Sequence, residues 1–213
     1  GGLAIHNISV FQKKFEYVLM PLFAAGTDDF NGGGRVTYRF FPKGKIYNIA
    51  LSSGVSTYRT GYDFFDSNLR YVKVDNHISF LFLPKERSDR IFNEVKVRHI
   101  YLEKGIPEQY RSGKNVELNF AEIDLIRHNE NPLTKGTTTL QLLANKEFFR
   151  AALEVKKFLN YGSGEKGLST RFFIGYENIS SKVSPTFDYR MNISGHNGTQ
   201  DYLFEEAFLG RAV

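Results

Sequence analysis

The chain has 213 residues, with 28 basic side chains against 23 acidic ones, 20 Phe, 12 Tyr, no Trp and no Cys. That length suits one domain, and the missing cysteine removes disulfides, thiolate metal sites and cysteine nucleophiles together. The net charge of +5 is spread along the chain rather than clustered, which argues against a nucleic-acid partner.

No apolar run reaches the ~18–20 residues of a transmembrane helix, and the first residues lack a signal-peptide pattern. Mean hydropathy is −0.34. Such a value fits a soluble domain, and it fits a barrel whose ~9–11-residue membrane strands alternate in character.

Period two dominates the chain, which predicts about 11 strands, near 2–8, 15–24, 33–42, 45–58, 70–84, 91–102, 115–127, 136–145, 147–159, 168–177 and 202–212. In the third, Val36, Tyr38 and Phe40 alternate with Arg35, Thr37 and Arg39. In the fourth, Tyr47, Ile49, Leu51 and Val55 oppose Asn48, Ala50, Ser52 and Gly54. The fifth is the clearest: Val72, Val74, Ile78, Phe80 and Phe82 share one parity, and Lys73, Asp75 and His77 the other. That is the signature of a strand with one apolar and one wet side. Parity switches near Ala121 in the seventh strand, which predicts a bulge. Residues 147–159 also show helical spacing at Phe148, Ala152, Val155 and Leu159. The strand is preferred there, because its neighbours are strands and no cap precedes it. In the tenth, Phe172 and Ile174 oppose Arg171.

Many of these strands exceed the ~5–6 residues usual in globular proteins. With up-and-down connectivity, short connections fall at one end (9–14, 42–45, 84–90, 128–135, 160–167). Mostly longer ones fall at the other (25–32, 59–69, 103–114, 178–201). This is the asymmetry of an outer-membrane barrel; the tight connection at Asn145-Lys146 breaks it. Aromatic residues gather near strand ends, with Phe40, Phe41, Phe80, Phe82 and Phe158 at one and Phe23, Tyr58, Tyr71, Tyr101 and Tyr176 at the other. Two such bands would be interfacial girdles, and core packing in a soluble β-protein explains them equally well.

Catalytic chemistry is nearly silent. His6, His77, His99, His128 and His196 form no His-Glu-x-x-His motif. Asp28-Asp29 and Asp63/Asp66 are read as solvated loops, and Gly32-Gly33-Gly34 as strand entry rather than a phosphate cradle. Gly162-Ser163-Gly164 is a turn, and the basic turns Lys13-Lys14, Lys43/Lys45 and Lys85/Arg87 are solvated or near headgroups. The sequons at Asn7, Asn178, Asn192 and Asn197 match glycosylation acceptors, tripeptides that also arise by chance and that a bacterial protein would not use. No metal, cofactor or catalytic residue is expected.

Gly2-Leu3-Ala4-Ile5-His6-Asn7 is followed by Phe15-Glu16-Tyr17-Val18-Leu19-Met20-Pro21-Leu22-Phe23-Ala24. Gly26-Thr27, Gly33-Gly34, Val36-Thr37-Tyr38-Arg39-Phe40-Phe41-Pro42 and, late in the chain, Tyr202-Leu203-Phe204-Glu205-Glu206-Ala207-Phe208-Leu209-Gly210-Arg211 complete the pattern. This resembles the outer-membrane β-barrel domain of Bacteroidetes proteins, often found behind a zinc-aminopeptidase-like domain. That domain is similar to the surface-antigen superfamily of outer-membrane insertases, and the Phe208, Leu209, Gly210, Arg211 motif carries much of the likeness. The superfamily's Arg-Gly-Phe/Tyr loop motif is missing, with Arg171-Phe172-Phe173-Ile174-Gly175 only a distant echo, and so is the peptidase part. About 11 strands is an odd count, whereas single-chain bacterial barrels are even-numbered, so the chain is expected to be part of a larger barrel, of ~16 strands as the resemblance implies.

The expectation is thus an all-β protein: an antiparallel up-and-down transmembrane β-barrel, a single domain over 1–213 incomplete at both ends. Its partners would be outer-membrane lipid and lipopolysaccharide, with other envelope proteins, and no nucleic acid. It would serve as anchor, pore or translocation and assembly scaffold. Val36, Tyr38, Phe40, Val72, Val74, Ile78, Phe80, Phe82, Phe172 and Ile174 would face lipid; Arg35, Arg39, Lys73, Asp75, His77 and Arg171 would face the lumen. Val74→Arg should then block assembly while Lys73→Glu should not. The alternative is a soluble all-β binding module, a lipocalin-like barrel or a sandwich, with the two faces exchanged.

Overall fold

The computed structural model describes residues 2–9, 11–25, 29–62, 68–84, 90–105, 116–161 and 166–180. They form one ten-stranded antiparallel sheet in sequence order. The strands are β1 (Ile5–His6), β2 (Phe15–Ala24), β3 (Asp29–Phe40), β4 (Ile46–Tyr62), β5 (Asn68–Phe82), β6 (Ile91–Lys104), β7 (Val116–Asn129), β8 (Thr134–Ala144), β9 (Phe148–Asn160) and β10 (Gly167–Ile179). β1 and β10 end the order, so the described sheet is open. The expected strand at 202–212 and the Phe208–Arg211 motif lie outside the described residues. So do Asp28, Asp63, Asp66, Gly162-Ser163-Gly164, Lys85/Arg87, His196 and the sequons at Asn192 and Asn197.

Residues 147–159 are a strand: Phe148–Asn160 pairs with β8 on one side and β10 on the other. Alternation wins over helical spacing because both edges of the segment find ladder partners. The tight turn before it is real. Asn145 Oδ1 accepts from the backbone N–H of Glu147 at 2.6 Å and of Phe148 at 2.8 Å, an Asx turn that reverses the chain within three residues.

Two expectations need correction. No bulge occurs at Ala121, since β6 and β7 pair without a shift from Ile91↔Asn129 to Lys104↔Val116. Leu118, Phe120, Glu122 and Asp124 all bury on one face. What changes near Ala121 is the character of that face, from apolar to acidic, while the pleat runs straight through. Bulges lie instead in β4, between Ile46 and Asn48 and between Arg59 and Gly61. The first leaves Tyr47 as the extra residue and sets Ile46 opposite Phe82. The second correction concerns the loops. β3, β4, β5 and β6 reach further than their alternation does. At the end expected to carry long loops, the connections shrink to 25–28, 63–67 and 145–147, leaving only 105–115 long before Ile179. The loop asymmetry therefore does not hold over the described strands.

β2 carries a proline in its middle, and Pro21 cannot donate to a ladder. Its partner is Gly32, at φ +127°, a region an L side chain rarely enters. A Cβ there would sit 2.0 Å from the Met20 carbonyl oxygen. Gly32→Ala should therefore lower stability by about 1–3 kcal/mol through backbone strain alone, with the clash added. The urea midpoint of the folded chain measures this, and an unchanged midpoint would contradict the geometry.

Candidate functional site

Among the described residues, every buried side chain lies on one face of the sheet. The nine apolar ones include Tyr71, Ile100, Leu102 and Phe120; the seven polar ones include Thr37, Ser52, Lys73, Arg98 and Glu122. Cross-strand register links them, as in Ser52↔His77↔Arg98↔Glu122 and Lys73↔Leu102↔Leu118. This inner face has two zones. One is apolar: Tyr71, Ile100, Leu102, Leu118, Phe120, Leu143 and Phe148 form a cluster, with Phe120 and Phe148 edge to face at 6.2 Å. The other is polar and runs towards the opposite strand ends.

The polar zone is organised around Arg98, which is 7% exposed. Its Nε donates to Asp75 Oδ1 at 2.9 Å, and its Nη2 donates to Asp75 Oδ2. Its Nη1 lies 3.6 Å from Glu122 Oε2. Glu122 Oε1 accepts from Gln141 Nε2 at 3.3 Å, and Gln141 Oε1 accepts from Arg150 Nη2 at 2.7 Å. Asp75, Arg98, Glu122, Gln141 and Arg150 thus contribute one residue from each of five consecutive strands, β5 to β9. Further along, Glu154 takes both Lys156 at 2.8 Å and Arg171 at 2.5 Å. Towards β2, Arg39 pairs with Glu16 at 2.7 Å.

The six residues expected on the wet parity, Arg35, Arg39, Lys73, Asp75, His77 and Arg171, all stand on this inner face by register. The ten expected on the apolar parity stand on the other. Val36, Tyr38, Phe40, Phe172 and Ile174 are exposed, the last two at 57% each; Val72, Val74, Ile78, Phe80 and Phe82 are half-buried by their strand neighbours. Lys73 is only 5% exposed, so Lys73→Glu is not the harmless change expected for that position. The aromatic bands need a partial correction. Tyr58 and Tyr71 stack inward at 6.0 Å, and Phe158 shares the inner parity of Glu154 and Lys156. Outward aromatics do crowd one end of β2–β5, where Tyr38 and Phe40 meet edge to face at 4.8 Å beside Phe15 and Phe80.

Sequence reading missed the limits of the outward face. Its positions on β7 are Glu117, Asn119, Ala121, Ile123, Leu125 and Arg127; on β6, Glu103 stands beside Glu117. On β9 the outward charge is Lys157, paired with Thr170. Between these levels, the described outward positions of β2–β10 carry no Asp, Glu, Lys or Arg. The polar interruptions of this band include Asn119 and a row that holds Ser53, Asn76, His99 and Asn178, in which Ser53 Oγ donates to Asn76 Oδ1 at 2.7 Å. Register would have revealed the band, because only aligned strands show that their charges stop at the same levels.

Among the described residues no three His, Asp or Glu side chains converge to hold a metal ion. No family model, curated protein or solved structure matches the chain.

Removing one partner from a buried ionic network leaves the others desolvated and unpaired, which costs about 3–5 kcal/mol. Arg98→Leu should therefore destabilise the chain by about that amount in urea titrations, since it strands Asp75 and Glu122 together. A loss below ~1 kcal/mol, the level of an exposed pair, would show that Arg98 does not organise the inner face.

Proposed function

We infer that the chain forms the wall of a transmembrane β-barrel in a bacterial outer membrane, with the sheet closing on itself. Its work there is non-covalent: anchor, pore or scaffold for translocation and assembly. Lipid and lipopolysaccharide meet the outward face, and other envelope proteins are the further partners.

The observation that supports this most is the height of the charge-free outward band. Glu117 and Arg127 bound it on β7. Ten residues span ~34 Å along a strand, which becomes ~26 Å at a ~40° tilt. An outer-membrane barrel shows an outward apolar band of ~25 Å. The paired polar row at Ser53 and Asn76 suits such a band better than isolated polar groups would, because its members answer each other. The likeness of residues 2–42 and 202–211 to the Bacteroidetes barrel domain points the same way.

A second reading, the soluble lipocalin-like module, draws on the inner cluster around Ile100, Leu102, Phe120 and Leu143, all 0% exposed. Small barrels in water are filled in that way. Against it stands the outward face, which would present Val36, Leu51, Val97, Ile123, Leu125, Phe172 and Ile174 to water as one continuous surface. Soluble monomers rarely expose apolar patches beyond a few hundred Å².

Ile123 sits near the middle of the band and tests the choice. In the membrane, Ile123→Arg should cost about 2–4 kcal/mol, read as a lower urea midpoint for folding into phosphatidylcholine vesicles. Lys156→Gln, on the inner face and 57% exposed, should stay within about 1 kcal/mol of the parent. In the soluble reading Ile123→Arg would improve solubility, and the chain would fold without detergent or lipid. That result would overturn the membrane assignment.

A further inference from the structure

The inner face holds a cavity of about 300 Å³ between β2 and β6. Its lining includes Glu16, Arg35, Thr37, Arg39, Ser52 and His77. Most charges around it already have a partner. Glu16 is taken by Arg39 at 2.7 Å and also accepts the Lys13 backbone N–H at 3.1 Å. Glu94, at the far wall, lies 3.1 Å from His128 Nε2. Asp75, the next acid along the row through Gly54, is held by Arg98 at 2.9 Å. Arg35 is the exception, because among the described residues its side chain has neither a hydrogen bond nor an ion pair.

Two features make Arg35 more than a solvated cation. Gly54 faces it across the strand pair. A Cβ at residue 54 would come 3.5 Å from Arg35 Cβ and 3.6 Å from its Cγ, ordinary contact distances, so the glycine leaves a methyl-sized gap beside the arginine stem. Thr37 and Ser52, one row away, are buried and bonded to each other, Oγ1 to Oγ at 2.8 Å. Two hydroxyls have two protons, and their mutual bond uses one. One O–H is therefore left to donate into the same cavity.

We propose that this cavity is a binding site for a small oxyanion, a phosphate or carboxylate group, with the Arg35 guanidinium as its charged anchor and the Thr37–Ser52 hydroxyl pair as its neutral donor. A guanidinium presents a planar fork that meets two oxygens of such a group at once. The acids nearby are already engaged, Glu16 by Arg39, Asp75 by Arg98 and Glu94 by the His128 ring nitrogen. Such an anchor would give the polar end of the proposed barrel's inner face a preference for anions. The site is a property of the inner face and does not depend on what the outward face meets.

The test is calorimetric titration of the full chain, folded in detergent micelles, with inorganic phosphate and separately with acetate at fixed ionic strength. A saturable single-site heat is expected with one or both probes. Phosphate alone would narrow the ligand to phosphates, and acetate alone to carboxylates. Arg35→Gln should weaken binding about tenfold or more, the worth of a charge-assisted hydrogen bond. Arg35→Lys should recover part of it, because the charge returns without the fork. Ser52→Ala should weaken it a few-fold, and Lys156→Gln should leave it unchanged. Arg35→Lys and Ser52→Ala decide the matter if Arg35→Gln does not fold. No saturable heat with either probe, or equal affinity in parent, Arg35→Lys and Ser52→Ala, would overturn the site. A chain that binds phosphate yet folds without detergent or lipid would keep the site and lose the barrel.

Discussion

Every strand from β2 to β9 has a hydrogen-bonded neighbour on both sides, and the rest of the structure depends on that ladder. Once the backbone is satisfied laterally, the only remaining freedom is which side chains face which way, and the pleat settles that with a period of two. A one-residue slip anywhere would exchange the faces of a whole strand. It would put Arg98 outward and Val97 inward, and Asp75 and Glu122 would lose the charge between them. The ladder and the inner network therefore hold each other in register. Thr37 against Ser52 and Arg171 against Glu154 repeat the same lock near the two ends of the sheet.

The energetic logic of the inner face is unlike that of an ordinary core. A buried ion pair often contributes little net stability, because desolvation offsets most of the attraction. Its value here lies in selection among registers. Asp75, Arg98, Glu122, Gln141 and Arg150 can meet only if five strands are aligned together, whereas Leu or Val at those positions would pack in several alignments. A face with two zones sharpens this further. Sliding β7 by two residues against β6 would keep the parity yet bring Phe120 towards Arg98 and Glu122 towards Lys96.

Much of the sheet was legible in the sequence, and the limits of that reading are physical. Alternation in 70–82 and 168–177 is strong because one side is mostly apolar, interrupted by Asn76 and Thr170, so strand existence and facing followed at once. The ends were not legible, since β4 continues to Tyr62 and β6 to Lys104 on the strength of ladder bonds that leave no trace in polarity. The apparent parity switch at Ala121 misled for a related reason. Polarity alone cannot tell a shift of the pleat from a change in what one face touches, and at Phe120–Glu122 the face itself changes. Tyr58 and Tyr71 read as interfacial because of their position near strand ends, yet they stack inward at the border of the apolar cluster. Of the candidate site, the residue types at Arg35, Asp75 and His77 were visible, but the partners were not. Which arginine is satisfied and which is left over is a property of register, and no single strand contains it.

The division of the inner face bears on which of the non-covalent roles suits the chain best. Ile100, Leu102, Phe120 and Leu143 have no solvent contact at all, while Tyr58 and Val116 beside them are partly buried, so the inner face is driest around this cluster. The polar end holds the cavity and the exposed Arg35. A passage for solutes needs polar lining along its whole length, and a hydrophobic constriction closes a pore by excluding water. In the proposed barrel, an inner face that is apolar towards one end and polar towards the other suits an anchor or scaffold better than a pore, which needs polar lining throughout. Separating the Phe120–Phe148 contact would disturb strands that Arg98 and its partners hold in register.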